Sequence, residues 1–586
     1  MRFILAIISF VVAALLIGTG IAQQTIFLAP DEVVASVTVD STAPVTVIDG
    51  ETLNEFPRSQ TVGIGGAAQV FAAYGRTADV QAWVGNASYN DIGYDEETGE
   101  LTSELVTGTE NVVPDPTGSD LWLSEYSQAL SLSQTVKVPD SISFVIVSDG
   151  QSPAPADISL TWPLDNSTPW AIPLLIGGGV VLLMGLILLL WAITTMRRSR
   201  GPRRKQQKMP KLPKQPRYKP SKRPKALPAG DSKGRRSSRT SLIAVPFALV
   251  GLLAVSGCTT SNADVAAPLT AEPTPVSTEA VSTLDPPAVT ELQANRIYKR
   301  ILETTTEADK DLDAKLLKTR FTGPALALRA ADYKVKKIDK TEELPSEFFD
   351  GELTIVLPQQ TDTWPRTVFA VVQDEEDETR APLALMLIQE DARSQYLVNY
   401  AMNLEPGVTV PALAPTSVGA NRLLPDLSLF TILPQDLAVA YGDILNKDEE
   451  SEYFDLFEAE GDTLRTEVGL KAKKKAIKAL PDTAKLTFTN AAGAGDTIVF
   501  GTNDQGAIVA VSLDETETVK PVETGAAVNA PKGVKALAGK AVSTLGFEAT
   551  YGDQLLFYVP STSVGGKIIL LGYDQGLIDA SEVKKK

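Results

Sequence analysis

Residues 171–194 form an uninterrupted apolar run, AIPLLIGGGVVLLMGLILLLWAIT, that contains no charged side chain. At about 1.5 Å of rise per residue, a helix of this length reaches about 36 Å, which exceeds the roughly 30 Å hydrocarbon core of a bilayer. Trp170 and Trp191 lie near its two ends, and indole rings favour the membrane interface. The run therefore predicts a transmembrane helix, and the whole chain is predicted to be a multi-domain membrane protein.

A strongly basic segment follows this run directly. Residues 197–239 carry 18 basic side chains and 1 acidic side chain. Because positively charged loops stay on the cytoplasmic side, we expect residues 197–241 to form a cytoplasmic loop. Recurring proline and scarce apolar residues predict that the loop is disordered. Its position beside a transmembrane helix favours anionic inner-leaflet lipids as its partner, and no nucleic acid.

A second apolar run stands at the start of the chain, where residues 3–22 follow Arg2. It is long enough to span a membrane, and it ends in the small residues Gly20 and Ala22, which suits cleavage by a signal peptidase after Ala22. We therefore predict that residues 1–22 are either a cleaved signal peptide or a retained transmembrane anchor. In both cases the residues that follow are exported.

The third apolar run, residues 242–257, has the length of a signal hydrophobic region or of a thin transmembrane span. Arginines precede it, and it ends in the stretch LAVSGC at 253–258. This stretch resembles the lipobox of bacterial lipoproteins. The resemblance implies that Cys258, the only cysteine, receives a lipid and that the chain is cut before it. The alternative is a short transmembrane helix that ends at an incidental cysteine.

The three apolar runs and the charges predict one topology at the plasma membrane. The N-terminus starts inside, residues 23–170 lie outside, residues 197–241 lie inside, and residues 258–586 lie outside. Residues 23–170 carry 21 acidic and 3 basic side chains, and residues 258–586 carry 50 acidic and 32 basic side chains. Each of these two regions thus has a net charge of −18, and the basic segment is the part that stays inside.

The composition excludes several kinds of chemistry within this chain. It contains no histidine and one cysteine, so histidine-based and cysteine-based catalysis, internal disulfides and cysteine zinc sites are ruled out. We predict no catalytic residues, no metal ligands and no cofactor.

Residues 23–168 show short alternating apolar runs separated by turn signals, for example EETGE at 96–100. This pattern predicts an exported all-β domain, most simply an antiparallel sandwich. Residues 258–290 are rich in proline and threonine and predict an extended linker.

The remainder predicts an exported α+β region of two tandem units, residues 291–455 and 456–586. RFTGPALALRAADY at 320–333, followed by strands, resembles the helical part of the nuclear-transport-factor-2-like fold. KAKKK at 471–475 predicts a solvated helix face, or alternatively a grip on an anionic polymer or headgroup.

The linker, the lipobox and the absence of cysteine pairs together resemble envelope proteins of actinobacteria. This resemblance implies a non-catalytic cell-envelope membrane protein or lipoprotein that binds or scaffolds wall components or protein partners. One alternative is a carboxylate-dependent hydrolase of wall polysaccharide, which needs two carboxylates flanking a groove. The other is a ligand-binding sensor.

Overall fold

The structure is a computed structural model and describes residues 2–28, 30–199, 285–341, 343–377 and 379–585. Most of the predicted basic loop, the whole apolar run at 242–257 and Cys258 lie outside the described residues. The chain forms two compact units, one of residues 1–23 with 169–282 and one of residues 24–168 with 283–586. Each unit is described by itself.

The described helices are α1 (Arg2–Thr25), α2 (Gly50–Leu53), α3 (Thr77–Val84), α4 (Ala171–Ser199), α5 (Glu291–Asp311), α6 (Ala314–Leu317), α7 (Gly323–Ile338), α8 (Leu437–Lys447), α9 (Thr463–Val468), α10 (Leu470–Ala479) and α11 (Lys532–Ala538).

The described strands are β1 (Glu32–Thr38), β2 (Val45–Ile48), β3 (Gln60–Arg76), β4 (Tyr89–Asp95), β5 (Glu100–Val106), β6 (Ser124–Val136), β7 (Ile142–Val147), β8 (Asp157–Pro163), β9 (Glu352–Pro358), β10 (Arg366–Gln373), β11 (Leu383–Gln389), β12 (Leu397–Leu404), β13 (Arg422–Leu423), β14 (Ala484–Ala492), β15 (Ile498–Gly501), β16 (Ala507–Pro521), β17 (Val528–Asn529), β18 (Val542–Ser543), β19 (Phe547–Val559) and β20 (Ile569–Glu582).

The first unit contains the helices predicted from the first two apolar runs. Phe3–Thr25 of α1 and Ala171–Arg197 of α4 are each long and apolar enough to cross a membrane. The helices run antiparallel, because Gly20 of α1 faces Leu175 while Gly185 of α4 faces Phe10. Glycines let two helix backbones approach closely where hydrophobic burial alone provides little attraction.

Residues 24–168 form the N-terminal β domain, whose strands belong to one hydrogen-bonded sheet in the order β1-β8-β3-β7-β2-β4-β5, with β6 also paired to β3. Two features of this sheet were not predicted from the sequence. The sheet is continuous, because the 17-residue strand β3 pairs with β8 near its start and with β7 near its end. In addition, β2 and β4 are parallel. The predicted turn at 96–100 joins the antiparallel strands β4 and β5, as the sequence indicated.

Residues 285–585 form the C-terminal α+β domain, which contains a ten-stranded sheet in the order β13-β15-β16-β19-β20-β12-β11-β10-β9, with β14 paired to β16. The chain therefore does not divide into two sheets near residue 455. The last strand, β20, pairs with β19 and also with β12, where Asn403 lies opposite Tyr573. This pairing joins strands from before and after residue 455 in one sheet.

Helix α5 begins at Glu291, the residue at which the sequence predicted that the α+β region starts. The Thr290 hydroxyl accepts a hydrogen bond from the backbone N–H of Gln293. In return, the side-chain oxygen of Gln293 accepts one from the backbone N–H of Thr290. This reciprocal capping satisfies two backbone donors at the helix start. The helix buries Ile297, Tyr298 and Ile301 against the sheet, which fixes the direction of its opposite, polar face.

Candidate functional site: a charged interface between the two β-rich domains

The N-terminal β domain has more carboxylates than it can pair by itself. Its region of the sequence holds 21 acidic but only 3 basic side chains. Two of the carboxylates, Asp79 and Asp120, are at most 1% exposed. A buried carboxylate is costly unless a cation or several hydrogen bonds compensate it. The structure supplies that compensation from the C-terminal α+β domain.

Asp120 binds two arginines of the other domain. Its Oδ2 lies 2.6 Å from Nη1 of Arg320, and its Oδ1 lies 3.2 Å from Nη1 of Arg300. The Tyr396 backbone N–H also donates to Oδ2, at 2.9 Å. The carboxylate therefore receives two charged donors and one neutral donor. Charge-assisted hydrogen bonds are about twice as strong as neutral ones, so this cluster is a main anchor of the interface.

The polar face of α5 extends this anchor along the segment around Asp120. Gln293 donates to the Leu121 carbonyl at 2.9 Å, and Arg296 donates to the Leu123 carbonyl at 3.1 Å. Arg300 donates to the Gly118 carbonyl at 2.7 Å. Positions 293, 296 and 300 are three and four residues apart, so they share one helix face. One side of α5 thus binds the N-terminal β domain while its other side packs in its own core.

Asp79, on α3, forms the second anchor. Its Oδ1 lies 2.7 Å from Nη2 of Arg366, a side chain with no exposed surface. Arg76 of the same domain holds Asp79 with two bonds, of 2.9 and 3.0 Å. The Arg366 guanidinium stacks 3.7 Å from the centre of the Trp364 ring. This planar stacking suits arginine better than lysine.

A further arginine of the C-terminal α+β domain, Arg393, binds the C-terminal end of α3. Arg393 donates to the carbonyls of Trp83 and Val84, both at 2.8 Å, and pairs with Glu110 at 2.9 Å. The last carbonyls of a helix have no partner within the helix and carry a partial negative charge. Arg393 therefore completes the hydrogen bonding of a helix that belongs to the other domain.

Apolar contacts fill the space between these ion pairs. Trp83 and Trp122 meet edge to face with ring centres 5.4 Å apart, and both are buried. The same cluster includes Ala392 and the partly buried Trp364 of the C-terminal α+β domain. Buried aromatic side chains and arginines are the residues that dominate binding energy at protein interfaces. The contact therefore has the composition of a stable interface.

The residues that the sequence singled out have the following positions in the structure. Ala22 lies inside α1 and is partly exposed, so it is placed but its cleavage stays a prediction. Cys258 lies outside the described residues, and its lipidation also stays a prediction. The basic segment 471–475 lies on α10, but Lys473 is buried and pairs with Glu515. The expectation of a solvated face is therefore wrong at Lys473.

The interface residues were missed by sequence analysis, although two signals pointed toward them. The imbalance of 21 acidic against 3 basic side chains indicates that the N-terminal β domain needs external cations. The spacing of Gln293, Arg296 and Arg300 indicates one polar helix face. Neither signal identifies which carboxylate meets which arginine, because the partners are 180 to 287 residues apart in the chain.

Comparison with known proteins places the C-terminal α+β domain in a family. Residues 285–582 match the family model described as a domain of unknown function, DUF8094. The match covers 298 of the 586 residues, so the chain belongs to this family. No curated protein and no solved structure matches the chain. The resemblance of residues 320–333 to the nuclear-transport-factor-2-like fold therefore stays a prediction.

The carboxyl of Asp574 in the C-terminal α+β domain is expected to make the free energy of unfolding depend on pH. Burial raises the pKa of Asp574 to about 6, although the Ser346 hydroxyl donates to it at 2.6 Å. The folded-state pKa lies above the unfolded value, so this group's stabilisation is complete below about pH 4 and is lost as pH rises through about 6. Because the side chain keeps some exposed surface, we expect a loss of about 1–2 kcal/mol in the free energy of unfolding.

The variant Asp574→Asn keeps an acceptor for Ser346 but does not titrate. Urea midpoints measured between pH 4 and pH 7 are therefore expected to fall more steeply in the wild-type protein than in Asp574→Asn. Parallel curves for the two proteins would contradict this assignment.

Proposed function

We propose that this chain is a non-catalytic cell-envelope membrane protein that displays its two β-rich domains, docked on each other, outside the plasma membrane. There it binds or scaffolds wall components or envelope proteins. The observation that carries the proposal is the interface built on Asp79 and Asp120. Its central carboxylates are held by arginines, so they serve as structural anchors rather than as free acids or bases.

The interface supports the predicted topology by a simple count of crossings. Two domains that bind each other through buried groups must occupy the same compartment. If α4 crosses the membrane after the N-terminal β domain, the chain must cross again before residue 285. Residues 242–257 are the stretch that the sequence predicts for this return. The net charge of the segment between α4 and residue 242 agrees with a cytoplasmic location, since 18 of the side chains at 197–239 are basic and 1 is acidic.

The docking of the two domains also means that both membrane attachments hold the same exported body. The N-terminal β domain is linked covalently to α1 and α4, and the C-terminal α+β domain is linked to the predicted anchor at 242–258. With the domains bound to each other, both anchors hold a single exported body. If the chain is cut before Cys258, as the lipobox resemblance implies, the interface is what keeps the two products together.

Site-specific labelling tests this topology. In a Cys258→Ser background, single cysteines are placed at Glu97 in the β4–β5 turn, at Glu375 after β10, and at Lys211 in the basic segment. Glu97 and Glu375 are exposed. A maleimide that does not cross the membrane is expected to label Glu97→Cys and Glu375→Cys on intact cells, and Lys211→Cys only after lysis.

The three positions act as controls for one another, because all share the same background and reagent. Labelling of Glu97→Cys but not of Glu375→Cys on intact cells would place the two domains in different compartments. That result would contradict both the topology and the docked arrangement.

A further inference from the structure

Helix α10 directs a lysine, rather than an apolar side chain, into the C-terminal α+β domain. In α10, whose ten residues the structure describes throughout, Lys473 is the one that is buried. Its neighbours Lys471, Lys474 and Lys475 are exposed. Lysine is almost never fully buried unless it is paired, and an apolar side chain would fill this position without the cost of removing a charge from water. The position of Lys473 therefore calls for an explanation beyond packing.

Two side chains from other elements meet the Lys473 ammonium. It forms an ion pair with Glu515 of β16, and both side chains are at most 7% exposed. It also donates a hydrogen bond of 2.8 Å to Oδ1 of Asn446, which lies in the last turn of α8. The Lys473 nitrogen thus contacts a side-chain amide and a carboxyl at the same time.

The distance between Lys473 and Asn446 is close to the distance that bond formation requires. Because a C=O bond is about 1.2 Å long, the Asn446 amide carbon lies within about 4 Å of Lys473 Nζ. Reacting atoms in a near-attack arrangement are about 3–3.5 Å apart, so a movement of about 1 Å or less brings the nitrogen to the carbon. A fold that holds two groups in this way greatly raises their effective concentration.

The Glu515 carboxylate is placed to take a proton from Lys473. Attack on an amide requires the uncharged amine, which buried lysines supply by giving up a proton. The carboxylate contacts the ammonium directly, so one proton transfer within this contact converts both charged groups to neutral ones. Burial raises the pKa of Glu517 and of Asp553, and Glu515 raises both further. Protonated carboxyls are thus favoured in this part of the domain.

We propose that Lys473 and Asn446 form an intramolecular isopeptide bond, with Glu515 as the group that accepts and returns a proton. The Lys473 amine attacks Cγ of Asn446, the bond between Cγ and Nδ2 breaks, and ammonia leaves. Of the two protons that the ammonium loses, one leaves on the ammonia and the other stays on the Glu515 carboxyl. Charge is therefore balanced, and nothing is oxidised or reduced. Asn446 is partly exposed, which gives the ammonia a way out.

The bond joins α8 to α10 and links two positions that are 27 residues apart in the chain. A cross-link of this kind stabilises a fold mainly by constraining the unfolded chain. The single cysteine allows no internal disulfide, and an isopeptide bond supplies the same constraint without depending on redox conditions. Its neutral amide also costs less to bury than two charges. This bond is independent of the topology proposed above.

Peptide mass spectrometry of the purified full-length protein tests the bond. Trypsin does not cut after a lysine whose amine has become an amide. We therefore expect a branched tryptic peptide that joins residues 423–447 to residues 472–474. Its mass should lie about 17 Da, the mass of one ammonia, below the sum of the two separate peptides. Fragmentation of this peptide locates the link at Lys473 and Asn446.

Three variants assign the roles, with samples taken at fixed times after synthesis is induced. Lys473→Arg keeps the positive charge but has no amine that can attack, so it should give no branched peptide. Glu515→Gln keeps the side-chain size but accepts no proton, so the link should form at least about a hundredfold more slowly. Lys475→Arg is the matched control, because Lys475 is exposed on the same helix, and it should be linked as fully as the wild-type protein.

The wild-type measurement decides the proposal even if a variant does not fold. Separate wild-type peptides of residues 423–447 and 472–473, both at full mass, overturn it. A branched peptide in Lys473→Arg, or an equal rate of linkage in Glu515→Gln, overturns the roles given to these residues. The labelling experiment on topology has a separate readout, so failure of one does not imply failure of the other.

Discussion

Replacing Asp120 with alanine is expected to weaken the docking of the two β-rich domains by about 3–5 kcal/mol. The substitution leaves Arg300 and Arg320 facing each other without the carboxylate that both bind. Arg320 is nearly buried, and an unpaired buried charge costs far more than the pair contributes. Hydrogen exchange of peptides around residues 118–123 measures the effect, which should appear as exchange faster by roughly two to four orders of magnitude.

Asp115→Ala is the matched control for this experiment. Asp115 lies in the same loop and is exposed, and its carboxylate accepts a hydrogen bond only from the Thr117 amide among the contacts described. We expect its effect to stay within about 0.5 kcal/mol, as for most surface changes. Equal exchange in Asp115→Ala and Asp120→Ala would show that Asp120 is not an anchor of the interface.

The second large effect is expected at Asp79, where the two partners should respond unequally. Asp79→Ala leaves the fully buried Arg366 without its carboxylate, and we expect a cost of about 3–5 kcal/mol. Arg366→Met should cost only about 1–2 kcal/mol, because Arg76 still holds Asp79 and because Nη1 of Arg366 has no hydrogen-bond partner to lose.

The double variant Asp79→Ala with Arg366→Met provides the decisive comparison. It removes the buried carboxylate together with the cation that would be left unpaired, so it should cost less than Asp79→Ala alone. Protection of the α3 amides from hydrogen exchange measures all three proteins under one condition. If the two single effects simply add to within about 0.5 kcal/mol, the residues are not coupled and the ion pair is not an anchor.

Much of the fold could be predicted from local patterns. An apolar run of 24 residues without charge can satisfy its backbone only as a helix in lipid, and α4 begins at Ala171 as the run does. The turn at 96–100 and the start of the α+β region at residue 291 could also be predicted, because turns and helix starts depend on three or four neighbouring residues.

The arrangement of the strands could not be predicted in the same way. The alternating pattern of β3 does not specify its neighbours, and only the tertiary structure shows that it pairs with β8 near its start and with β7 near its end. The pairing of β12 with β20 joins residues about 170 positions apart, and no local preference specifies such a contact.

The sequence by itself determined where two helices long and apolar enough to cross a membrane lie, which segments are acidic or basic, and that the chain has no histidine and one cysteine, because these properties depend only on composition and on short-range order. Only the tertiary structure decided that Asp79 and Asp120 meet arginines of the DUF8094 domain and that Asp553 lies buried beside Glu515 and Lys473. The physical reason is that two charges interact weakly in solvent and strongly when they are buried. Burial depends on how the whole chain packs.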